Sequence, residues 1–386
     1  MPYILLDVGD AIDAYIPLLE SALRDASQRT GLPSAPRGVH PLVSDIVISH
    51  RHHDHHAGLP SVLHLLHTLS TELIQSDQKK NSLPRTAEDP YPYCPPRVHK
   101  FPSVVGRKTP LFSAEAEGAT FEYTLETISS RLSSALFEHD VTSISTSVAE
   151  TPHPRLLVHD LADGQVLTTH SSAPIELKVL HTPGHTTDSI SLLLPSEGAM
   201  FTADTVLGEG TAVFEDLASY MTSLGRMRGE CRPLLSNLHE DEGVVAGTAK
   251  MRIYPGHGPV IEDGLKVLET YITHRAEREA QILSLLPDEN SITTTSNVNT
   301  ATGTSTISSI VRTIYARYPP SVWPAAERGV WLHLEKLKSE DKVVRIPSPA
   351  TAPPNTYVPS QAMEVEGVFR NILDATWARR TAGTSD

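Results

Sequence analysis

Apolar runs and amphipathic segments alternate along much of the chain, and they predict the order of its strands and helices. Short apolar runs bounded by Gly, Asp or Pro are typical of buried strands, and they occupy residues 3–10, 45–49, 175–180, 189–194, 199–202 and 251–254. Segments with apolar residues at helical spacing occupy residues 11–27, 59–74 and 264–286. Strands that alternate with helices in this way favour a layered α/β fold class.

One stretch interrupts this regularity. Residues 78–155 are polar, weakly periodic and locally Pro-rich, so we interpret them as an insertion in the main domain. A β-hairpin is predicted after them, with Asp163 and Gly164 at its turn.

The second half of the chain is predicted to contain a linker, a small helical unit and a tail. Residues 287–306 are rich in Ser, Thr and Asn and predict a flexible linker. The linker separates a main domain over residues 1–286 from a compact helical unit over residues 307–346 that ends in a short strand. The tail, residues 347–386, is Pro-rich and is predicted to be helical from about 362 to 379.

Composition and net charge limit which class of protein this chain can be and which partners it can bind. Of the 386 residues, 39% are apolar and 20% are charged, which is typical of a globular protein. The net charge of −14 opposes non-specific binding to nucleic acid. No apolar run approaches the roughly 18 residues of a membrane helix, and no basic residue precedes Arg24 to form a secretory signal, so we expect a soluble, cytoplasmic protein that binds no membrane. Cys94 and Cys231 lie outside any CxxC pair and are expected to be ordinary thiols.

Histidines concentrate where the predicted strand at 45–49 ends. Four side chains of ligand type follow this strand: His50, His52, Asp54 and His55. Alternate residues of a strand share a face, so the first two can bind one ion, while the last two, in a loop, can address a second. Imidazole and carboxylate suit zinc, and manganese or iron are also compatible with this ligand type. The intervening His53 and His56 are expected to be solvated.

Three later strands also end beside residues that can bind a metal. These residues are His185, Asp204 and His257.

The pattern H-x-H-x-D-H-x-x-G over residues 50–58 resembles the signature of the metallo-β-lactamase superfamily. The resemblance implies an αββα sandwich with two zinc ions per chain. It implies a first site of His50, His52 and His185, a second site of Asp54, His55 and His257, and Asp204 as a carboxylate that bridges both ions. Asp7 corresponds to a buried carboxylate that supports the ligand loop, although a simple turn residue is the alternative. The superfamily's first N-terminal hairpin is expected to be missing.

This ligand set implies hydrolysis. Two ions that share a water lower its pKa, and one of them polarises the oxygen under attack. Asp54 is expected to be catalytic as well as a ligand, because it can orient the nucleophile and pass its proton toward the leaving group.

A longer match narrows the group within the superfamily. Residues 207–217, 253–261 and 271–275 resemble the β-lactamase-like protein 2 group, and residues 307–346 resemble its small winged-helix-like domain. The group includes fungal lactamase-like thioesterases that release aromatic polyketides from non-reducing polyketide synthases, and an endoribonuclease of animal mitochondria. The Pro-, Ser-, Thr- and His-rich composition and the negative charge resemble the fungal proteins. We therefore favour a thioesterase of secondary metabolism whose partner is the acyl-carrier domain of a synthase.

Two alternatives stay open. Residues 307–345 contain seven Lys or Arg and four Asp or Glu, which supports a single-strand-specific endoribonuclease, although nucleic acid is the less favoured partner. An inactive metal-binding scaffold is the second alternative. His274 and Arg275 are interpreted either as site residues or as surface residues of a helix that form salt bridges.

Overall fold

The computed structural model describes residues 2–30, 42–81, 95–102, 158–169, 173–237, 250–291, 305–346 and 375–380. These residues form two compact units. The first unit contains the described residues up to Val213 and those from 229 to 264, and the second contains residues 214–228 and those from 265 onwards.

The first unit is built from two sheets and their helices. Its strands are β1 (Tyr3–Leu6), β2 (Val43–Ile48), β3 (Arg97–Lys100), β4 (Val158–Asp160), β5 (Val166–Thr168), β6 (Glu176–His181), β7 (Ile190–Leu194), β8 (Ala199–Ala203) and β9 (Arg252–Pro255). Its helices are α1 (Tyr15–Thr30), α2 (His53–His56) and α3 (Leu59–Asn81), and α4 (Leu217–Asn237) begins in the second unit and ends in the first.

The two sheets have different strand directions. The first, in the order β1-β2-β3-β4, is parallel throughout, and every residue of β2 is buried. The second, in the order β5-β6-β7-β8-β9, is antiparallel except that β8 and β9 are parallel. Parallel strands covered on both faces read as continuous apolar runs, which is why β2 was predictable.

Apolar layers hold these elements together. Val47 of the first sheet packs with Val179 and Leu192 of the second, so the inner faces of the two sheets share one core. The outer face of the first sheet packs through Ile46 and Ile48 against α1 and α3. Each fully buried side chain of this kind contributes about 1.5–3 kcal/mol relative to its exposed state.

Part of the segment 78–155, which was predicted to be an insertion, belongs to the first sheet. Residues 97–100 form β3, between β2 and β4 in the first sheet. Three of its four residues are polar, so the apolar pattern of a strand is absent and the sequence did not predict it. The segments 82–94 and 103–157 lie outside the described residues.

The predicted hairpin around Gly164 is wrong, although the turn exists. Gly164 has a φ of +78°. The preceding strand, β4, pairs with β3 in the first sheet, whereas the following strand, β5, pairs with β6 in the second. The turn therefore carries the chain from one sheet to the other, and β5 and β6 form the antiparallel pair.

The second unit combines helices with a small sheet. Its elements are most of α5 (Gly264–Leu285), then β10 (Ser305–Thr306), α6 (Ile307–Ile314), α7 (Trp323–Ser339), β11 (Val343–Ile346) and β12 (Thr376–Arg379). The strands form an antiparallel sheet in the order β10-β12-β11. Helix α6 begins with a capping box in which Thr306 and Ser309 bond reciprocally. Two helices followed by strands of one sheet agree with the expected winged-helix-like unit.

Two boundaries of this unit differ from the sequence prediction. The end of the predicted linker forms β10, and part of the tail predicted to be helical forms β12 instead. Trp377 of β12 is 1% exposed and fills the core with Ile310 and Leu334, which lie far from it in the chain. Contacts between distant segments decide this structure, so local periodicity did not predict it. Residues 292–304 of the predicted linker lie outside the described residues.

Among the helices that the structure describes, none has the length and apolar character needed to cross a lipid bilayer.

Candidate functional site

The structure brings all seven predicted ligands together as two groups. In each group, the candidate ligand atoms lie within 4.8 Å of one another. The first group is His50, His52, His185 and Asp204, and the second is Asp54, His55, Asp204 and His257. Asp204 belongs to both, so the two groups are contiguous.

Segments that follow four strands of the first unit position these side chains. The chain leaves β2 at Ile48 and reaches His50 two residues later, and α2 then carries Asp54 and His55. The other ligands follow β6, β8 and β9. Ile190 at the start of β7 donates its N–H to the Ser49 carbonyl at 3.0 Å, which joins the ligand edges of the two sheets.

Three ring nitrogens converge in the first group. His50 Nε2 lies 3.0 Å from His52 Nδ1 and 3.1 Å from His185 Nε2, and the latter lies 2.8 Å from His52 Nδ1. His185 Nδ1 donates to the carbonyl of Val213 at 2.6 Å, so its Nε2 presents a lone pair to the group.

The second group combines imidazoles and carboxylates. His257 Nε2 lies 3.0 Å from Asp54 Oδ2 and 3.4 Å from Asp204 Oδ2. His55 Nε2 and Asp204 Oδ1, 3.4 Å apart, are both buried and lack a hydrogen-bond partner among the described residues. The side chains of His257 and Asp54 are 49% and 39% exposed, so this group opens to solvent, unlike the buried His50 and His185.

Asp7 orients histidines of both groups. Its Oδ1 accepts from the N–H of Ser49 at 2.7 Å, and its Oδ2 accepts from the Ser49 hydroxyl and from His55 Nδ1, each at 2.7 Å. Because the hydroxyl proton goes to Asp7, the Ser49 oxygen accepts from His50 Nδ1, at 3.0 Å. Both histidines are therefore held through Nδ1 and direct Nε2 into the groups, which favours the supporting role of Asp7 over a simple turn residue.

This donor set fits a divalent metal ion. Lone pairs of His50 and His185 face each other at 3.1 Å, an arrangement that neutral rings avoid unless a cation lies between them. Nitrogens bound tetrahedrally at about 2.0–2.1 Å lie roughly 3.3 Å apart, close to the separations in the first group. In the second group, His55 Nε2 and Asp204 Oδ1 are buried without a hydrogen-bond partner among the described residues, and a metal ion would satisfy both atoms. The two groups indicate a metal cofactor.

Local charges shift the pKa values of these histidines in opposite directions. Burial disfavours the charged form of His55, but the nearby carboxylates of Asp204 and Asp7 outweigh it and raise the pKa of His55 to about 10. Burial lowers the pKa of His185 to about 4. His55 would have to lose a proton before it could bind a metal ion, whereas His185 is already neutral at pH 7.

A glycine makes room for the shared carboxylate. A Cβ on Gly256 would lie 2.4 Å from Asp204 Oδ1 and 3.0 Å from His55 Cε1. Only a residue without a side chain permits this approach, which explains the glycine directly before His257.

The two remaining histidines of the cluster behave differently. His53 is exposed, and its Nδ1 contacts Asp10 at 2.6 Å. His56 is 0% exposed, so the prediction that it is solvated is wrong. Its Nε2 donates to the carbonyl of Arg51 at 3.0 Å, and burial lowers its pKa to about 4. His56 therefore supports the loop as a neutral ring, because a one-residue offset on α2 turns it away from the ligand groups.

His274 and Arg275, whose roles the sequence left open, differ in their surroundings. Arg275 lies over the ring of Phe214, 5.2 Å from its centroid, and packs on an aromatic surface of the second unit. His274 is exposed on α5. Sequence reasoning missed the buried ion pair between Lys100 and Asp188 beside the ligand loops. The only signal in the sequence was a carboxylate three residues after His185.

Known proteins resemble parts of this chain. The family "Beta-lactamase associated winged helix domain" matches residues 306–351. The Beta-lactamase-like protein 2 homolog of Drosophila melanogaster is 37% identical over 209 residues, which are 53% of this chain and 59% of that protein. The Atrochrysone carboxyl ACP thioesterase of Aspergillus chevalieri is 33% identical over 163 residues, 42% of this chain and 44% of that protein. The matched segments thus span about half the length of these relatives.

A solved metallo-beta-lactamase family protein of Thermus thermophilus aligns over 97% of this chain and 89% of its own, with 18% identity and a TM-score of 0.47. The sequence matches confirm the predicted resemblance: the chain is similar to β-lactamase-like protein 2 homologues and to fungal lactamase-like proteins. Its described residues form a mixed α/β fold, and its C-terminal unit matches the winged-helix family.

Proposed function

We propose that the chain is a zinc-dependent hydrolase with two ions, one in each ligand group, and that it cleaves a thioester. Its substrate would be an aromatic polyketide attached to the acyl-carrier domain of a non-reducing polyketide synthase in fungal secondary metabolism. The observation that carries the proposal is the contiguity of two ligand groups through Asp204. The name of the Aspergillus relative supports the substrate class.

The donor set favours zinc. Five of the seven candidate ligands are imidazoles, which suit zinc better than hard oxygen-preferring cations. When bound at adjacent sites, two such ions lower the pKa of water and polarise an acyl oxygen.

The chain's own residues supply positioning and proton transfer. Asp54 lies at the solvent side of the second group, with Oδ2 3.0 Å from His257 Nε2. We assign it to orient the attacking water and to accept its proton. The water oxygen bonds to the acyl carbon, the C–S bond breaks, and the products are a carboxylic acid and a thiol. A thiolate leaves readily, so Asp54 needs to give little acid assistance.

The nuclease alternative depends on positive charge in the second unit. Ion pairs within that unit reduce the charge that is free to bind phosphate. Lys336 pairs with Glu279 at 2.8 Å, Lys338 with Glu335 at 3.4 Å, and Lys342 with Glu340 at 2.7 Å. Helix α7 also buries residues on several sides, including Leu332, His333 and Leu334. These contacts favour the thioesterase over the endoribonuclease.

A parallel assay tests the proposal. The zinc-loaded chain is incubated with an acyl-carrier domain bearing an aromatic polyketide thioester, and separately with single-stranded RNA. We expect free acid and thiol by mass spectrometry, with no RNA cleavage. Asp54→Asn should lower the rate by about 10²–10⁴-fold, the usual contribution of general acid–base catalysis. His53→Gln, an exposed neighbour, is the control and should retain the rate. RNA cleavage alone would establish the nuclease, and a zinc-loaded protein without turnover would indicate a scaffold.

A further inference from the structure

A buried ion pair stands beside the first ligand group without contributing a ligand. Lys100 ends β3 and is 6% exposed, and Asp188 is 0% exposed. Lys100 Nζ donates directly to Asp188 Oδ2. The other oxygen, Oδ1, accepts from the Thr186 hydroxyl at 2.7 Å, so both carboxylate oxygens are bonded.

Stability alone does not explain this pair. Removing two charges from water is costly, and apolar side chains of similar size often serve a core equally well or better. An ion pair offers direction instead, because a charged hydrogen bond fixes the distance and angle between two segments.

Asp188 belongs to a compact loop that carries His185. Thr182 N–H donates to the Ser189 carbonyl at 2.8 Å, and Thr186 N–H donates to Ser189 Oγ at 3.1 Å. Gly184 N–H donates to the Thr186 carbonyl at 2.9 Å. These hydrogen bonds link residues 182–189 to one another, so a shift in the position of Asp188 would also move His185.

Lys100 belongs to the strand beside the other ligands. Its register partner on β2 is Ile48, and His50 follows Ile48 by two residues. A second contact joins the loop of His185 to the segment after β2, because Arg51 Nη1 lies 3.5 Å from Thr187 Oγ1. The ion pair therefore connects the loop of His185 to the sheet edge that presents His50.

We propose that Lys100 and Asp188 are positioning residues that hold His185 at the separation from His50 and His52 required for ion binding. The proposal rests on the metal-binding part of the proposed function and not on the thioester substrate.

Cobalt(II) titration of the metal-free, full-length chain tests this role, with binding followed by visible absorption and stability by thermal unfolding. His50→Ala and His257→Ala identify which affinity belongs to which group. Asp188→Asn and Lys100→Met each remove the opposite charge from a buried ionised group, and both should lower thermal stability. Both should also weaken ion binding by the first group at least about tenfold, the usual effect of losing a residue that orients a ligand, while the second group keeps its affinity.

The double variant Lys100→Met/Asp188→Asn separates positioning from stability. It has no unpaired buried charge, so we expect its thermal stability to recover toward that of the unaltered chain. Its first-group affinity should stay low, because methionine cannot replace the directional bond. Recovery of affinity together with stability would overturn the proposal.

Asp45→Asn is the matched control. Asp45 is a 2% exposed carboxylate near the opposite end of β2, where it bonds to His99 Nε2 at 2.7 Å. Its loss should destabilise the fold while leaving both cobalt affinities unchanged. A fall in first-group affinity equal to that of Asp188→Asn would reduce the role of the pair to general stability. Because no readout uses turnover, a chain that binds two ions but cleaves no thioester would refute the proposed substrate and leave this inference intact.

Discussion

Asp7 Oδ2 and His55 Nδ1 lie 2.7 Å apart although 48 positions separate the two residues in the chain. The same carboxylate reaches His50 through the hydroxyl of Ser49. One side chain that ligates nothing in either group thus sets the protonated nitrogen of one histidine in each. The left-handed backbone of Asp7, with a φ of +56°, turns the chain so that both oxygens meet these donors.

Asp7→Asn should therefore weaken metal binding at both groups. The amide keeps the size of the carboxylate but replaces one acceptor with a donor, which faces another donor at His55 or Ser49. We expect a loss of about 10–100-fold in metal affinity, measured by competition with a chromophoric chelator. Asp10→Asn, in the exposed loop that follows, should leave both affinities unchanged. A variant at Asp7 that kept full affinity would contradict its orienting role.

Substitution of Asp204, which belongs to both groups, should lower the number of bound ions more than substitution of His257, which belongs to one. Asp204→Ala removes a ligand from both groups and should abolish stable binding of both ions. His257→Ala affects only the second group and should leave one ion per chain. Elemental analysis of protein purified without chelators measures both stoichiometries. Equal loss in the two variants would show that the groups do not bind ions separately.

Gly256→Ala should disturb the second group because the added methyl group needs space that Asp204 occupies. The added methyl would lie 2.4 Å from Asp204 Oδ1, so the carboxylate or the loop must move. We expect a destabilisation of about 1–3 kcal/mol, the range for overpacking, together with weaker ion binding. Gly229→Ala in α4 is the control, because no atom lies within 4 Å of its Cβ position. It should stabilise the chain by about 0.5–1 kcal/mol, the usual gain from replacing glycine in a helix.

The second unit should lose stability as the pH falls. Burial lowers the pKa of His333 below its usual 6.5, opposed by Glu279. Burial would raise the pKa of Glu279, but His333 and Lys336 outweigh it and lower that pKa below 4.5. With both folded-state values depressed, the unfolded chain binds protons first, so stability falls below about pH 6.5 for His333 and below about pH 4.5 for Glu279.

Thermal unfolding of the full chain between pH 4 and 8 measures this dependence. His333→Gln should flatten the curve just below pH 6.5, whereas His274→Gln, at an exposed position of α5, should not. An unchanged curve in the first variant would refute the assignment to His333.

The sequence predicted which candidate ligands lie close together because each follows a strand with a clear apolar pattern, as His50 follows β2 and Asp204 follows β8. Strand β3 was not predictable because polar side chains dominate it, although its backbone completes the first sheet. Strand β12 was missed because its partners lie at least 30 positions away along the chain. The pairing of Lys100 with Asp188 also depends on a contact between distant segments, which periodicity cannot encode.

The candidate ligands come from four segments spread between His50 and His257, in a chain with only two cysteines. A bound ion would tether these segments as a disulfide tethers two loops, since it closes long stretches of backbone that are free in the unfolded chain. Metal supply would then govern how long the folded protein survives, as well as whether it turns over substrate, and a shortage would expose the first unit to proteolysis.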